Sequence, residues 1–473
     1  MRPVLVTTLV MSAAMIAPIS AIAELDVSAL AEAYREHDMS LNEGRGYSEA
    51  TSAATLAWGQ GPIINSYLHM WEATEDPYWL GKISEHFHRM MDTASDPEGD
   101  GYLSWYTDRY SAAVAWTDRL HNVSDARIDP DFQRIRGVDE APKATGHTYM
   151  IDFIESAERF RIIDWTTHEI IADGLEHDGT ETEIDIIEPF TLTVSGETHQ
   201  GDRFLMRSEA QHQARYIVGQ GIVTYPVARF IEVVRSRPDL QERFGDDADE
   251  FLHFINHNIF EKNERDWLDM GELGGAYRSE PRITNRFPNR IIPHNQYAEI
   301  ARVWLVLKDV DGAHPLMAER AEQMVRYFHN HLELDEEDDS YVWRYWNWME
   351  HGEAGSMFIE TTNYANIDIT LAVEATHRGV IFTDEDMQRF VNTWLRVMWN
   401  QDEEDPMMAR NVQGEEPYRF TPLMAGFVQL AEWEPRVHEL ALTHFLGMDE
   451  ERQARQAPII LLSAARAGVL DER

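Results

Sequence analysis

The sequence contains no cysteine, so no disulfide bond stabilises the fold and no thiolate can act as a nucleophile or metal ligand. Lysine is scarce as well. Of 41 basic residues, only Lys82, Lys143, Lys262 and Lys308 are lysines, and 83 acidic residues give a formal net charge of -42. A surface of this charge repels nucleic acids and anionic membranes, so neither is an expected partner. An acidic sugar is a possible ligand only where arginines cluster locally.

Long apolar runs are missing after the N-terminus. Arg2 precedes an apolar run from Val4 to Ile19, and the small residues Ala21 and Ala23 follow it. This order predicts a signal peptide over residues 1–23 and therefore a periplasmic or secreted protein. No later apolar run reaches the length of a membrane span, so no membrane segment is expected after the signal peptide. Residues 24–473 are expected to form one domain.

Apolar helices alternate with amphipathic partners along the chain. Apolar helices are predicted to begin near Trp58, Gly219, Arg290, Asn363 and Thr421, and Gly146 to Ile163 fits another. Repeated hairpins bury their apolar members against one another. The pattern predicts an all-α fold, an (α/α) toroid or incomplete barrel with the apolar helices inside. An open solenoid of the same hairpins is the alternative.

The helical periodicity disappears between Trp165 and Met206. The segment Thr191 to Gly196 alternates apolar and polar residues, which is typical of a strand. We therefore predict a small β-hairpin insertion over about residues 165–206, forming either a flap on the rim or a dimer contact. The oligomeric state itself is not predicted.

The first turns of the inner helices are the predicted site, because inner helices of one ring run the same way and meet at one end. Helix N-termini present N–H groups that favour anions. The polar residues expected at this end are Gln60, Asn65, His147, Gln220, His294, Asn295, Gln296, Tyr297, Asn363 and Tyr364.

Aromatic residues with an arginine among them extend this site. Tyr341 to Trp348 holds five aromatic residues around Arg344, and aromatic faces stack on sugar rings while an arginine can grip a carboxylate. The further residues predicted to bind substrate are Trp105, Arg290, Arg344, Tyr345, Trp346 and Glu360. We predict no cofactor and no metal, because the loop Asp96 to Gly101 lacks the glutamate that would complete a calcium site and has Thr107 there.

Four features of the sequence resemble the toroid-fold polysaccharide lyases that cleave uronic-acid polymers such as alginate and glucuronan. They are the hairpin repeat, the aromatic run Trp343 to Trp346, the helix start Pro293 to Tyr297 and the turn Glu360 to Asn363. The resemblance implies that Tyr297 and His294 move the protons, with Tyr364 in the second loop. It also implies that Asn295 and an arginine hold the uronate. This chain departs from the family in having Thr361 and Tyr364 where an acidic residue and a histidine are expected.

The chemistry of the site leaves three functions open. Elimination from an acidic polysaccharide, the main prediction, needs a tyrosine whose pKa is lowered by a neighbouring cation such as Arg290 or Arg344. A glycoside hydrolase instead needs two carboxyl groups about 5.5 Å or 6.5–9.5 Å apart. The candidates for that pair are Asp266, Asp269, Glu272 and Glu360. A non-catalytic glycan-binding surface protein is the third possibility. The identity of the uronic acid, its linkage and the endo or exo mode of attack are not predicted.

Overall fold

The computed structural model describes residues 25–109, 114–121, 124–132, 144–209, 213–279, 290–350 and 353–470. The predicted signal peptide, residues 1–23, lies outside this part of the chain. The longer helices of the described residues are α1 (Val27–Ser40), α2 (Gly61–Thr74), α3 (Pro77–Asp92), α4 (Ile217–Ser236), α5 (Pro238–Phe254), α6 (His294–Leu307), α7 (Met317–His329), α8 (Thr362–His377), α9 (Asp384–Asn392), α10 (Arg436–Leu446) and α11 (Glu450–Arg466). A 3-10 helix, Phe427–Glu432, precedes α10.

Six inner elements close into a ring. In ring order these are α2, α4, α6, α8, the 3-10 helix and α11, and each packs against the next, with α11 returning to α2. The outer elements α3, α5, α7, α9 and α10 follow their inner partners in sequence, while α1 packs on α11 and joins the two ends of the chain. One hydrophobic core extends through the whole ring. The predicted helical toroid is confirmed, and the contact between α11 and α2 excludes the open solenoid.

Local sequence signals begin several of these helices. Asp76 accepts a hydrogen bond from Tyr78 N–H ahead of Pro77, which has no N–H to satisfy. Thr383 and Asp386 form a reciprocal capping box at the start of α9. The inner helices all follow outer ones, so their N-terminal turns lie at the same end of the ring. We call this end the ring mouth.

Two glycines let the inner helices approach closely. A Cβ added to Gly221 would lie 2.5 Å from backbone atoms of Glu299 and Ile300 on α6, and one added to Gly61 would lie 2.2 Å from the Ile222 side chain. The motif Gly-Gln-Gly therefore recurs because α2, α4 and α6 touch at these positions.

The insertion is larger than predicted. Its strands are β1 (Tyr106–Thr107), β2 (Val114–His121), β3 (Arg127–Phe132), β4 (Thr148–Asp152), β5 (Arg159–Asp164), β6 (Glu169–Glu176), β7 (Thr182–Ile187), β8 (Phe190–Ser195), β9 (Arg203–Glu209) and β10 (Ala214–Arg215). They form a five-stranded antiparallel sheet in the order β2-β9-β4-β5-β6 and a three-stranded sheet in the order β3-β8-β7. A separate apolar core lies in this unit.

These strands correct three predictions. The fold is not all-α, and the insertion runs from β1 to β10 rather than over residues 165–206. The helix predicted from Gly146 to Ile163 is wrong, since β4 and β5 occupy that segment. The reason is that Met150, Ile151, Ile162 and Ile163 are apolar neighbours in a sheet, and short apolar runs do not distinguish a buried strand from a buried helix.

Three further hairpins lie between outer and inner helices, on the ring-mouth side. Their strands are β11 (Trp267–Asp269), β12 (Gly275–Tyr277), β13 (Glu333–Asp335), β14 (Ser340–Val342), β15 (Asn347–Glu350) and β16 (Glu353–Ser356). Among the described residues one helix, α4, is long and apolar enough to cross a membrane, but most of it is buried inside the ring.

Candidate active site at the ring mouth

Two acidic side chains meet under the start of α8. Glu360 and Asp368 are both fully buried, and their carboxyl groups lie close enough to act on each other. Glu360 Oε1 accepts a hydrogen bond of 2.6 Å from Thr361 N–H, and Asp368 Oδ2 accepts one of 2.9 Å from Trp343 Nε1. The other oxygens, Glu360 Oε2 and Asp368 Oδ1, have no donor among the described residues. A proton shared between the two groups satisfies both oxygens. We call Glu360 and Asp368 the carboxyl pair.

The carboxyl pair holds its proton at neutral pH. Burial raises the pKa of Asp368 to about 8. Burial and the neighbouring Asp368 charge raise the pKa of Glu360 well above its usual range. Two carboxylates in one dry site cannot both ionise, because desolvation and mutual repulsion act in the same direction. The pair therefore acts as one protonated acid.

The hairpin before α8 places aromatic rings beside this pair. Tyr345 N–H donates to Phe358 O and Glu360 N–H to Trp343 O, so the two arms pair as antiparallel strands. The Tyr345 ring stacks on Phe358 at 5.0 Å with an interplanar angle of 13° and lies 5.4 Å from the Tyr364 ring. Phe358 is 49% exposed. These three rings, which we call the aromatic platform, offer faces of the kind that stack on sugars.

The predicted tyrosine and histidine form a neutral buried pair. Tyr297 and His294 are fully buried, and the Tyr297 hydroxyl is hydrogen-bonded to His294 Nδ1. His294 Nε2 lies 2.9 Å from the Asn347 amide oxygen, which only accepts, so Nε2 carries the ring proton and Nδ1 accepts from Tyr297. Burial lowers the pKa of His294 to about 3. Imidazole and phenol are thus both uncharged.

A proton-abstracting role for Tyr297 needs a lowered pKa, and the structure shows the opposite. Burial first, then Tyr327 and Asp368, raise the pKa of Tyr297 well above its ordinary value. The two arginines expected to lower it have other neighbours. The Arg290 guanidinium lies 5.5 Å from the Trp348 ring centroid, and Arg344 lies 3.5 Å from Glu333 and donates to Met357 O.

The remaining first-turn residues divide between the site and the ring wall. Asn295 is buried on α6 with its amide oxygen unpartnered among the described residues, and Gln296 Nε2 lies 3.5 Å from the Tyr345 hydroxyl. Asn363 is exposed and Tyr364 half-buried at the start of α8. Gln296 and Tyr364 thus meet at Tyr345, at the start of α6 and α8.

Six predicted binding residues lie away from the carboxyl pair or make buried structural contacts. Gln60 accepts from Tyr47 N–H and bonds His86, and Gln220 bonds Ser104 and Asn263. Asn65 donates hydrogen bonds to Gly61 O and Ile222 O. The indole N–H of Trp105 donates to Met90 O, and that of Trp346 donates to Ile291 O. His147 is hydrogen-bonded to Asp164 inside the β insertion. His147 is distant from the helix starts because its segment is a strand rather than a helix.

Sequence reasoning missed Asp368, although a signal existed. Asp368 stands between Ile367 and Ile369 in a predicted inner helix, and an acid buried at such a position has to be protonated or paired. Of the other carboxylates proposed for hydrolysis, Asp266 lies 2.7 Å from the Arg215 guanidinium, and Asp269 and Glu272 are exposed around the β11–β12 hairpin. Glu360 alone of the four lies against the aromatic platform, since its pair acts electrostatically on Tyr345.

The described residues contain no cluster of histidine and acidic side chains able to hold a metal. The loop Asp96 to Gly101 is instead closed by its own contacts. Asp96 accepts hydrogen bonds from the N–H groups of Gly99, Asp100 and Gly101, and Asp100 forms an ion pair with the buried Lys262. The acidic oxygens of this loop therefore already have partners.

No family model and no curated protein matches this chain. Among solved structures it is similar to an α-1,6-mannanase, GH76A of Salegentibacter sp. HEL1_6, in complex with α-1,6-mannotriose. The identity is 11%, the TM-score is 0.44, and the match covers 94% of this chain and 100% of that one. The same enzyme in complex with α-1,6-mannotetrose gives the same values. A match to FlgL of Xanthomonas campestris covers 43% of this chain and 78% of that one, with 12% identity and a TM-score of 0.16.

The prediction of a lyase is corrected. The enzymes among these structures are mannanases rather than lyases. The site agrees with that correction, because the tyrosine on which elimination depends is buried and its pKa is raised.

Proposed function

We propose that this chain is a glycoside hydrolase that binds a polysaccharide at the ring mouth. The observation that carries the proposal is the protonated carboxyl pair beside the aromatic platform. Hydrolysis of a glycosidic bond begins with proton transfer to the leaving oxygen, which requires an acid that keeps its proton at the working pH. Glu360 is the proposed general acid, and Asp368 is a positioning residue that holds the shared proton.

The aromatic platform supplies the binding half of the proposal. Tyr345 and Phe358 stack nearly parallel, and Asn363 adds an exposed amide at the same edge. Sugar rings combine apolar faces with hydroxyl rims, so aromatic rings next to hydrogen-bonding groups suit them. The second carboxylate that hydrolysis needs is a separate residue, because the members of the carboxyl pair act on each other and are too close to flank a sugar.

Export through the signal peptide of residues 1–23 is part of the proposal, since an enzyme that acts on a large polymer has to reach its substrate outside the cytoplasm.

A sugar without carboxylates is the proposed substrate class. At the ring mouth Arg344 lies 3.5 Å from Glu333, and the net charge of -42 disfavours a polyanion.

The test is release of reducing sugar from a panel of neutral and uronate polysaccharides, with ultraviolet absorbance of unsaturated products followed in parallel. Glu360→Gln keeps the shape of the side chain and removes the acid, so we expect about a 100- to 10,000-fold loss of hydrolysis. Glu337→Gln, at an exposed position of the β13–β14 hairpin, is the matched control and is expected to retain full activity.

A non-catalytic glycan-binding protein is the second candidate, and the complete burial of Glu360 favours it. Binding of a polysaccharide without reducing-sugar release would establish that function. Reducing-sugar release unaffected by Glu360→Gln would refute the assignment of the acid while leaving hydrolysis standing.

A further inference from the structure

We propose that the five-stranded sheet of the insertion carries a second glycan-binding surface, which takes an uncharged polysaccharide chain on its outward face. One face of this sheet packs into the apolar core of the insertion through residues such as Ile151, Ile162 and Phe204. Side chains alternate along a strand, so the intervening residues point away from that core. The surface does not depend on hydrolysis at the ring mouth.

Two exposed tryptophans lie in one row across this outward face. Trp116 on β2 is paired with Arg207 on β9, and Arg207 with Thr148 on β4. Trp165, just after β5, donates its backbone N–H to Thr148 O at 2.8 Å and so continues this row. The two indoles are 39% and 49% exposed. Three strand spacings separate them, roughly 14 Å, a length that an oligosaccharide of several units spans.

The next row of the same face is apolar. Across neighbouring strands the register places Leu205 opposite Met150, Met150 opposite Ile163, and Ile163 opposite Ile170. Ile170 is 57% exposed. Solvent-facing sheets are usually polar on the outside, so an apolar row beside two exposed indoles indicates a binding surface.

The charges on this face balance one another. Arg207 pairs with Asp118, and Asp152 accepts from both Arg161 and Arg203 at 3.2 and 3.3 Å. Alternation along β9 places the exposed Glu209 on the same face, so three carboxylates face three guanidinium groups. A locally neutral face with guanidinium N–H groups beside indoles suits hydroxyl-rich, uncharged rings. A second copy of the chain fits less well, because two molecules of net charge -42 repel each other.

The insertion leaves the ring at the mouth. Strands β1 and β10 pair at its base, and Arg215 on β10 bonds Asp266 at 2.7 Å and Asn263 at 2.8 Å. Both β1 and β10 stand between an outer and an inner helix, which places the base of the insertion on the same side as the aromatic platform. A polymer held by the sheet is therefore kept near the proposed active site.

Affinity electrophoresis of the full mature chain tests this surface, with α-mannan, a β-1,3-glucan, xylan and polygalacturonate each cast in the gel. We expect the wild type to be retarded by at least one uncharged polymer. The double variant Trp116→Ala/Trp165→Ala is expected to bind that polymer about tenfold more weakly or worse, since both of the aromatic faces that stack on the sugar rings are removed. Trp116→Phe/Trp165→Phe is expected to retain most of the affinity.

Ile186→Ala, which removes an exposed apolar side chain from the other sheet, is the matched control and should leave retardation unchanged. Near-ultraviolet circular dichroism checks folding, and the single variant Trp165→Ala, placed in a turn, decides the question if the double variant is unfolded. Three results would each overturn the proposal. They are equal retardation of wild type and folded tryptophan variants, retardation by polygalacturonate alone, and a dimer that becomes monomeric when the tryptophans are removed.

Discussion

Replacing Asp368 by asparagine should make the protein more stable at alkaline pH. In the native state burial raises the Asp368 pKa to about 8, against an ordinary value of 3.8. Between these values the folded protein keeps a proton that the unfolded chain has lost, so stability falls as pH rises. Stability that is fully present near pH 4 is progressively lost up to pH 8.

The size of the effect follows from the same pKa. Retaining a proton up to about pH 8 rather than 3.8 corresponds to about 6 kcal/mol, an upper bound because Glu360 shares the titration. Asparagine keeps an oxygen for Trp343 Nε1 and adds an N–H₂ group that can donate to Glu360. The variant removes the acid without orphaning either neighbour, and Glu360 then ionises more easily because the like charge beside it is gone.

The assay is urea unfolding of wild type, Asp368→Asn and Glu337→Gln at a series of pH values from 5 to 9. We expect the wild type to lose stability steadily across the range and the Asp368→Asn variant to lose much less. Glu337→Gln should follow the wild type, since its side chain is exposed. Parallel curves for wild type and Asp368→Asn would refute the shared proton and, with it, the basis for assigning Glu360 as an acid.

Four further substitutions test the packing and the corrected site. Gly221→Ala brings a Cβ within 2.5 Å of the α6 backbone and should lower stability by about 1–3 kcal/mol or more, whereas Gly81→Ala, with open space around it, should raise it by roughly 0.5–1 kcal/mol in the same thermal melts. Tyr297→Phe should retain hydrolysis within a few fold and lose about 1–3 kcal/mol of stability in urea, because His294 Nδ1 loses its donor; abolished hydrolysis would contradict the correction of its role. Arg302→Met leaves Glu299 buried without its partner at 3.0 Å and should cost about 3–5 kcal/mol near neutral pH and less in acid, where Glu299 is protonated; equal losses at both pH values would argue against that ion pair.

The ring was predictable because its signals are local and repeated. Each inner helix is apolar nearly all round and has an amphipathic successor, and that alternation alone implies burial of one layer inside another. The shared direction of the inner helices then predicted which turns would meet, and His294 to Tyr297 do lie near Tyr364. Ring closure by α11 was not predicted, since it depends on a distant contact between α11 and α2.

The chemistry was less predictable than the fold, for a physical reason. The sequence around a tyrosine or glutamine at a helix start does not show whether its side chain faces a cleft or packs into the ring wall. Burial decides between these roles, and it depends on packing between distant segments. Tyr297 and Gln220 are buried by such packing, and burial is also what raises the pKa values of Glu360 and Asp368, against the lowering effect of the Trp343 hydrogen bond on Asp368.

The tripeptide Glu-Ala-Thr ends two inner helices, at Glu72 to Thr74 and again at Glu374 to Thr376, and the role of its glutamate is seen only in the ring. Four arginines, Arg229, Arg302, Arg378 and Arg466, form ion pairs with glutamates from five of the six inner elements. These glutamates are Glu72, Glu232, Glu299, Glu374 and Glu432. Arg302 also lies 3.5 Å from the Tyr225 ring centroid.

Parallel inner helices direct the negative ends of their dipoles to this side of the ring, which favours cations there. The glutamates balance those cations in a setting where an unpaired charge would be costly. The ring thereby separates its ion pairs from its protonated acid: paired charges hold the C-terminal end together, while the carboxyl pair at the mouth keeps a proton. A sugar without charge therefore meets a dry, protonated acid there.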